Sequence, residues 1–312
     1  MLIGIWISSG DLVGIDHVQA AQGYQFHDET TKADSALVVG KITGANHPFV
    51  EHYKFLRDLV ADVDGVEAKY TIPAPAQFYF ELIRDAEHVE QLNTIYPDFA
   101  AVREDIKQAY LQVIQDLYDA GLRTLQVDDC TWGVLVDDNF LTAWGAAQGK
   151  SKDEVRRELA DLFLTFNNDI YQHVPAGLTV NTHVCRGNFH STWASSGGYA
   201  PIAKELLGEE AVNAYFLEFD TDRAGGFEPL AEVTPGKGVV LGLLTSKSGQ
   251  LENKDEVIAR IKEASQYVPL ENLYLSTQCG FASTEEGNIL TEEDQWKKIG
   301  LIKEIVAEVW GE

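Results

Sequence analysis

Short β-rich runs alternating with longer helical patterns are the feature that most constrains this chain. Six such runs stand out, at residues 66–72, 123–128, 178–184, 214–220, 239–245 and 273–278. Several, VVLGLLT at 239–245 among them, are nearly continuous in apolar residues, as expected for strands buried on both faces. Helical patterns fill the intervals. In 101–120, Val102, Ile106, Ala109, Val113 and Leu117 recur at spacings of three and four, and Gly121 follows as a stop. The next helix is predicted to open at Ser151, with Glu154 completing a capping-box pattern. Residues 254–267 carry Val257, Ile258 and Ile261 on one face, and a last helix at about 291–310 is expected to bury Trp296, Ile299, Ile302, Ile305 and Val309.

Alternation of this kind implies an α/β fold, a mostly parallel sheet with helices outside. No G-x-G-x-x-G or G-x-x-x-x-G-K-[ST] follows a strand, so a nucleotide-binding open sheet loses support. A (β/α)8 TIM-type barrel fits better, with its active site at the carboxyl ends of the strands. The 312 residues suffice for one such domain spanning 1–312. Residues 1–65 read as loop and helix, with a short helix at 48–60. Either two barrel strands are hidden there, or the first two β/α units are lacking.

Acidic residues outnumber basic ones 49 to 24, for a formal net charge of -25. That average field repels a phosphate backbone and argues against nucleic-acid binding. No apolar run reaches the length of a membrane span. The apolar start has no basic residue before it and no small-residue cleavage pattern, so it does not read as a leader, and the expected compartment is the cytoplasm. Three cysteines, Cys130, Cys185 and Cys279, are too few and odd in number for a disulfide framework.

The polar residues at strand ends carry the chemistry. His183 and Cys185 are two apart and so share one side of an extended strand. Glu218 closes the next strand between Leu217 and Phe219, where a carboxylate is costly unless paired or bound to a cation. Cys279 follows the last strand. Two thiolates, an imidazole and a carboxylate suit tetrahedral Zn2+. That donor set leaves a formal charge of about -1 on the centre, poor for polarising a carbonyl but suited to holding an incoming thiol as a thiolate. Arg186 and Asn188 flank the pair as candidates to meet a substrate carboxylate. Cys130 reads as a packed thiol at a strand end, and Trp132 with residues 74–80 could stack on a flat methyl donor.

The stretches NTHVCRGN, YFLEFD and LSTQCGFASTEEGN, with QVDD and GLLTSKSG, resemble the short cobalamin-independent methionine synthase family, similar to the C-terminal catalytic barrel of the full-length enzyme. The likeness runs from GYQFHDET to EVWG, nearly the whole chain. It implies a zinc-dependent methyltransferase converting homocysteine to methionine, with zinc on His183, Cys185, Glu218 and Cys279. It further implies that Asp128, in the Q-[IV]-D-[DE] strand end, contacts the amino group of homocysteine. The position of a proton-transferring His in the full-length enzyme is taken by Lys247. The methyl donor is expected to be a 5-methyltetrahydrofolate or another donor, since net charge -25 is no obvious home for a polyglutamate tail. The family's first strand (G-S-F-x-R-like) and its second, ending in D-G-E, do not precede GYQFHDET, so the barrel is expected to lack its first two units. A relative alkylating a different thiol, and a non-catalytic zinc-binding relative, are the competing expectations.

Overall fold

The computed structural model of the chain describes residues 11–311. The apolar start, residues 1–10, whose reading as no leader was given above, lies outside the described residues.

Six parallel strands form the main sheet: β3 (Lys69–Pro73), β4 (Thr124–Asp128), β5 (Thr179–Val184), β6 (Ala214–Glu218), β7 (Gly238–Leu244) and β8 (Leu273–Thr277). They lie side by side in chain order, because each strand is followed by a crossover that returns the chain to the same end. All six runs expected from the sequence are strands. Val180–Val184 of β5 and Val239–Leu244 of β7 are buried, as a sheet covered on both faces requires. Among the described residues the sheet is open, with β3 and β8 as its edges. A closed eight-stranded barrel is therefore not what these residues form.

The helices are α1 (Phe49–Val60), α2 (Pro75–Glu81), α3 (Ala86–Ile95), α4 (Phe99–Asp119), α5 (Thr131–Val134), α6 (Asp138–Ala146), α7 (Lys152–Tyr171), α8 (Lys254–Ala264) and α9 (Glu292–Trp310). On α4 the predicted face of Val102, Ile106, Ala109, Val113 and Leu117 is buried. The Ser151–Glu154 capping box is present at the start of α7. One apolar core extends from Leu12 to Ile305. No helix among the described residues is long and apolar enough to cross a membrane.

Two expectations change. Residues 13–43 are not loop and helix. They hold an antiparallel pair, β1 (Val13–Gln19) and β2 (Asp34–Thr43), in a sheet of its own. In β2, Ala36, Val38 and Ile42 are buried on one face and Ser35 on the other, so its apolar run is short and broken by Gly40 and Lys41. At Gly14, in a bulge at positive φ, a Cβ would run into the carbonyl of Lys41. A buried latch docks the pair: Ser35 Oγ donates to Glu81 Oε1 at 2.6 Å and meets His88 Nε2 at 2.8 Å. The second change is on α9. Trp296 is 58% exposed, while Lys298 and Ile305 are the buried residues of that helix. The Lys298 ammonium reaches inward to Gln250 O (2.7 Å) and to Glu252 (2.8 Å), which turns Trp296 outward.

Candidate metal centre and substrate cleft

The strand register brings the chemistry together. Parallel pairing sets Asp128 directly beside His183, and His183 beside Phe216. Asp128 and His183 therefore leave the sheet at the same level, at the carboxyl ends of neighbouring strands. Cys185 follows one residue beyond β5, and Cys279 two residues beyond β8. Ligand atoms of His183, Cys185 and Cys279 all lie within 4.8 Å of one another, and all three residues are buried. Cys279 Sγ and His183 Nε2 are 3.4 Å apart.

Electrostatics single out Cys185 as the thiolate of the cluster. Hydrogen bonds from Cys130 and Cys279 hold the Cys185 thiol well below its ordinary range, with His183 adding to them against burial. Burial alone would pull His183 down, but Cys185, Asp128 and Glu218 outweigh it and raise it. Burial pushes Cys279 up. Two thiols and an imidazole converging at such distances, with no disulfide formed, fit a zinc ion by donor type and spacing.

Glu218, the carboxylate expected beside them, is fully buried but outside this trio. Its Oε2 accepts from the backbone N–H of Arg186 at 2.9 Å. Its Oε1 pairs with Nη2 of Arg223. Arg223 also faces Asp220 at 3.6 Å, so one guanidinium lies against two buried carboxylates and balances only one of their charges. Sequence reasoning missed Arg223. The signal was a lone cation following two acids at a buried strand end.

A cleft of about 520 Å³ opens over the trio, lined by Asp128, His183 and Cys279 and continuing down the sheet past Gln126, Lys69 and Phe216. Lys69 Nζ donates to Gln126 Oε1, and Gln126 Nε2 donates to Asp128 Oδ1, each at 2.8 Å. Burial pushes the Asp128 carboxyl up, partly offset by His183. Lys247 is 9% exposed, its Nζ has no hydrogen-bond partner among the described residues, and its charge lowers the Cys279 thiol. Arg186 does not face the cleft: its guanidinium donates to Gly197 O at 2.6 Å and stacks on Tyr199. Asn188 is spent on Gly280 O and Ser283. Trp132 and Phe78 are fully buried core.

Behind the site lies a buried acidic pair that the sequence did not reveal. Asn167 Nδ2 donates to Asp129 Oδ2 and to Glu210 Oε1, each at 2.7 Å, and Trp132 Nε1 also donates to Glu210 Oε1. Burial, reinforced by Asp129, pushes Glu210 up to about 8. The native state thus holds this proton more tightly than the unfolded chain, so stability falls as pH rises from the ordinary Glu range towards 8. Glu210→Gln keeps the accepting oxygen and cannot ionise. Its stability relative to wild type is expected to grow between pH 5 and 8, by on the order of 1 kcal/mol per pH unit. Urea unfolding at several pH values measures this, and a difference independent of pH would contradict it.

A parallel α/β sheet with an imidazole and two thiols gathered at its strand ends defines a protein equipped to bind a soft metal ion beside a cleft. The family described as "Cobalamin-independent synthase, Catalytic domain" matches residues 97–292. The chain belongs to that family, and it is methionine synthase-like, of the methyltransferase kind. The uncharacterized protein YxjG of Bacillus subtilis is 43% identical over 301 residues, covering 96% of this chain and 76% of the relative. A methionine synthase of Methanothermobacter thermautotrophicus is 27% identical over 278 residues, covering 87% of this chain and 74% of its own. The crystal structure of a candidate vitamin-B12-independent methionine synthase from Listeria monocytogenes superposes with a TM-score of 0.68 at 30% identity, covering 98% of this chain and 78% of that one.

Proposed function

We propose that the chain is a zinc-dependent methyltransferase that moves a methyl group onto the thiolate of homocysteine to give methionine. The observation that carries this reading is the buried cluster of His183, Cys185 and Cys279 opening into a cleft beside Asp128. These three residues would hold the ion, with the substrate sulfur brought to it from the cleft. Zinc there supplies a deprotonated, still nucleophilic sulfur at neutral pH. The residues around it orient the rest of the substrate. Asp128, fixed by Gln126, accepts from the substrate ammonium. Lys69, in the same cleft, offers a cation to the carboxylate. Lys247 sets an unpaired buried positive charge near Cys279, suited to an anionic group of substrate or donor. We read the six parallel strands, adjacent in chain order, as part of a (β/α)8-type barrel. The three cysteines outside disulfides accord with a reducing cytoplasm.

Turnover settles the reading. Zinc-loaded protein is incubated with homocysteine and, in separate reactions, 5-methyltetrahydrofolate and other methyl donors, and methionine is measured. Methionine from any donor excludes a non-catalytic relative; none from any donor, with zinc bound, would sink the proposal. Asp128→Asn tests the acceptor. It removes a charge-assisted contact to the ammonium, so homocysteine binding should weaken by about 1.5–3 kcal/mol, roughly ten- to a hundredfold, with zinc content unchanged. Calorimetry reads the loss, and unchanged homocysteine affinity would point to a different thiol.

A further inference from the structure

One buried amide ties together the segments on which the substrate cleft stands. Asn167, on α7, has no exposed surface and uses both ends of its side chain on other parts of the chain. Its Oδ1 accepts from the Ala76 N–H at 3.0 Å, in the first turn of α2, where the N-cap residue Ala74 offers no side-chain cap. Its Nδ2 donates to Asp129 Oδ2, just past β4, and to Glu210 Oε1, ahead of β6, each at 2.7 Å. We propose that Asn167 is a positioning residue for the reaction: through Asp129 it fixes Asp128 beside His183, so that one amino thiol meets the first with its ammonium while its sulfur lies on the metal side. This rests on the function proposed above.

The path from Asn167 to Asp128 is short and bonded throughout. Asp129 has no exposed surface, and its carboxylate also accepts from the backbone N–H of Thr131 at 3.0 Å and from the Thr131 hydroxyl. The Asp129 N–H donates to His183 O, and the carbonyl oxygen of Asp128 accepts from the Ala74 N–H, each at 2.9 Å. The backbone at 128–129 is therefore held from the β3 side and from the β5 side. Asn167 fastens both holds, because Ala76 stands two residues past Ala74 and Asp129 carries the bond to His183. The register that sets Asp128 beside His183 is thereby kept beyond the ends of the strands.

An amide is the group this place requires. Two carboxylates need a donor and a backbone N–H needs an acceptor. A hydroxyl has only one proton to give, and a carboxylate has none. In a dry interior each of these bonds is costly to leave unmade, so the network is stiff. Stiffness matters because a substrate with two anchors tolerates little change in their spacing, and a displacement of about 1 Å is enough to cost a large factor. Gln126 orients the Asp128 carboxylate from within the cleft, and Asn167 holds its backbone from behind.

The test uses two thiols on zinc-loaded protein: homocysteine, and 4-sulfanylbutanoate, the same thiol acid without the amino group. Calorimetry on Asn167→Ala should show homocysteine binding about tenfold more weakly, with 4-sulfanylbutanoate affinity and zinc content as in the wild type. Added to Asp128→Asn, Asn167→Ala should bring no further loss, because both changes act through one contact. Thr131→Ala takes the hydroxyl from Asp129 and leaves Asn167 in place. It should weaken homocysteine alone, by roughly two- to fourfold, and it decides the matter if Asn167→Ala does not fold: wild-type homocysteine affinity in Thr131→Ala would then overturn the assignment. Equal weakening of both thiols by Asn167→Ala, losses that multiply in the double variant, or loss of zinc would show that Asn167 only supports the fold. Each of these would overturn the assignment and leave the methyl-transfer reading standing. A zinc-loaded wild type that binds no homocysteine would overturn that reading, and the assignment with it.

Discussion

Cys185→Ala is expected to empty the metal centre, lowering zinc from about one ion per chain to a trace and weakening affinity by at least about a hundredfold. The size follows from position. Cys185 is the member of the cluster to which the others are tied: Cys130, Cys279 and His183 all act on its thiol. Apparent binding energies of about 10–16 kcal/mol for a four-ligand zinc site make one ligand worth several kcal/mol. The packing cost is small by comparison, since only one sulfur leaves the core. Metal analysis after dialysis reads the stoichiometry. A thermal scan supplies the control: zinc should raise the Tm of the wild type, because a ligand at a thousandfold its Kd adds about 4 kcal/mol, and should leave the variant unmoved. Metal-free wild type and variant should then melt close together. Stoichiometric zinc retained by Cys185→Ala would refute the site.

The sequence made the parallel sheet legible because its strands are buried on both faces, so that 178–184 and 239–245 announce themselves by composition alone. The capping box at Ser151 was equally plain, being local. The β1–β2 pair was not. Its buried positions, Ser35, Ala36, Val38 and Ile42, include a polar residue and are interrupted by Gly40, and its partner across the fold is a carboxylate on α2. Trp296 misled for a related reason. Helical periodicity assigns an aromatic residue to the core, but the inward reach of Lys298 to Glu252 was the stronger constraint, and nothing within α9 signals it. In the site, His183, Cys185 and Cys279 were readable because they stand at strand ends, where a parallel sheet gathers its side chains. Glu218 was readable as a buried acid but not as a partner of Arg223. Glu210 sits in the polar run GEEAV, which looks solvated. Only the distant Asn167 and Trp132 show that it is core.

Arg223→Met should destabilise the protein by about 3–5 kcal/mol, the cost of leaving a buried charge without its partner. Glu218 and Asp220 have no side-chain exposure, and the Arg223 side chain is only 10% exposed, so water cannot replace the guanidinium. Methionine preserves much of the side-chain volume, and the change therefore removes charge and hydrogen bonds rather than packing. Adding Glu218→Gln to Arg223→Met tests the cause. If the loss comes from stranded carboxylates, the double variant should recover part of it, with a coupling energy of about 1–3 kcal/mol between the two positions. Recovery would be incomplete because Asp220 keeps its charge. Chemical denaturation of the metal-free proteins measures all three variants on one scale. If the two single losses simply add, Arg223 stabilises through something other than Glu218, such as its contact with the Trp193 ring at 4.7 Å.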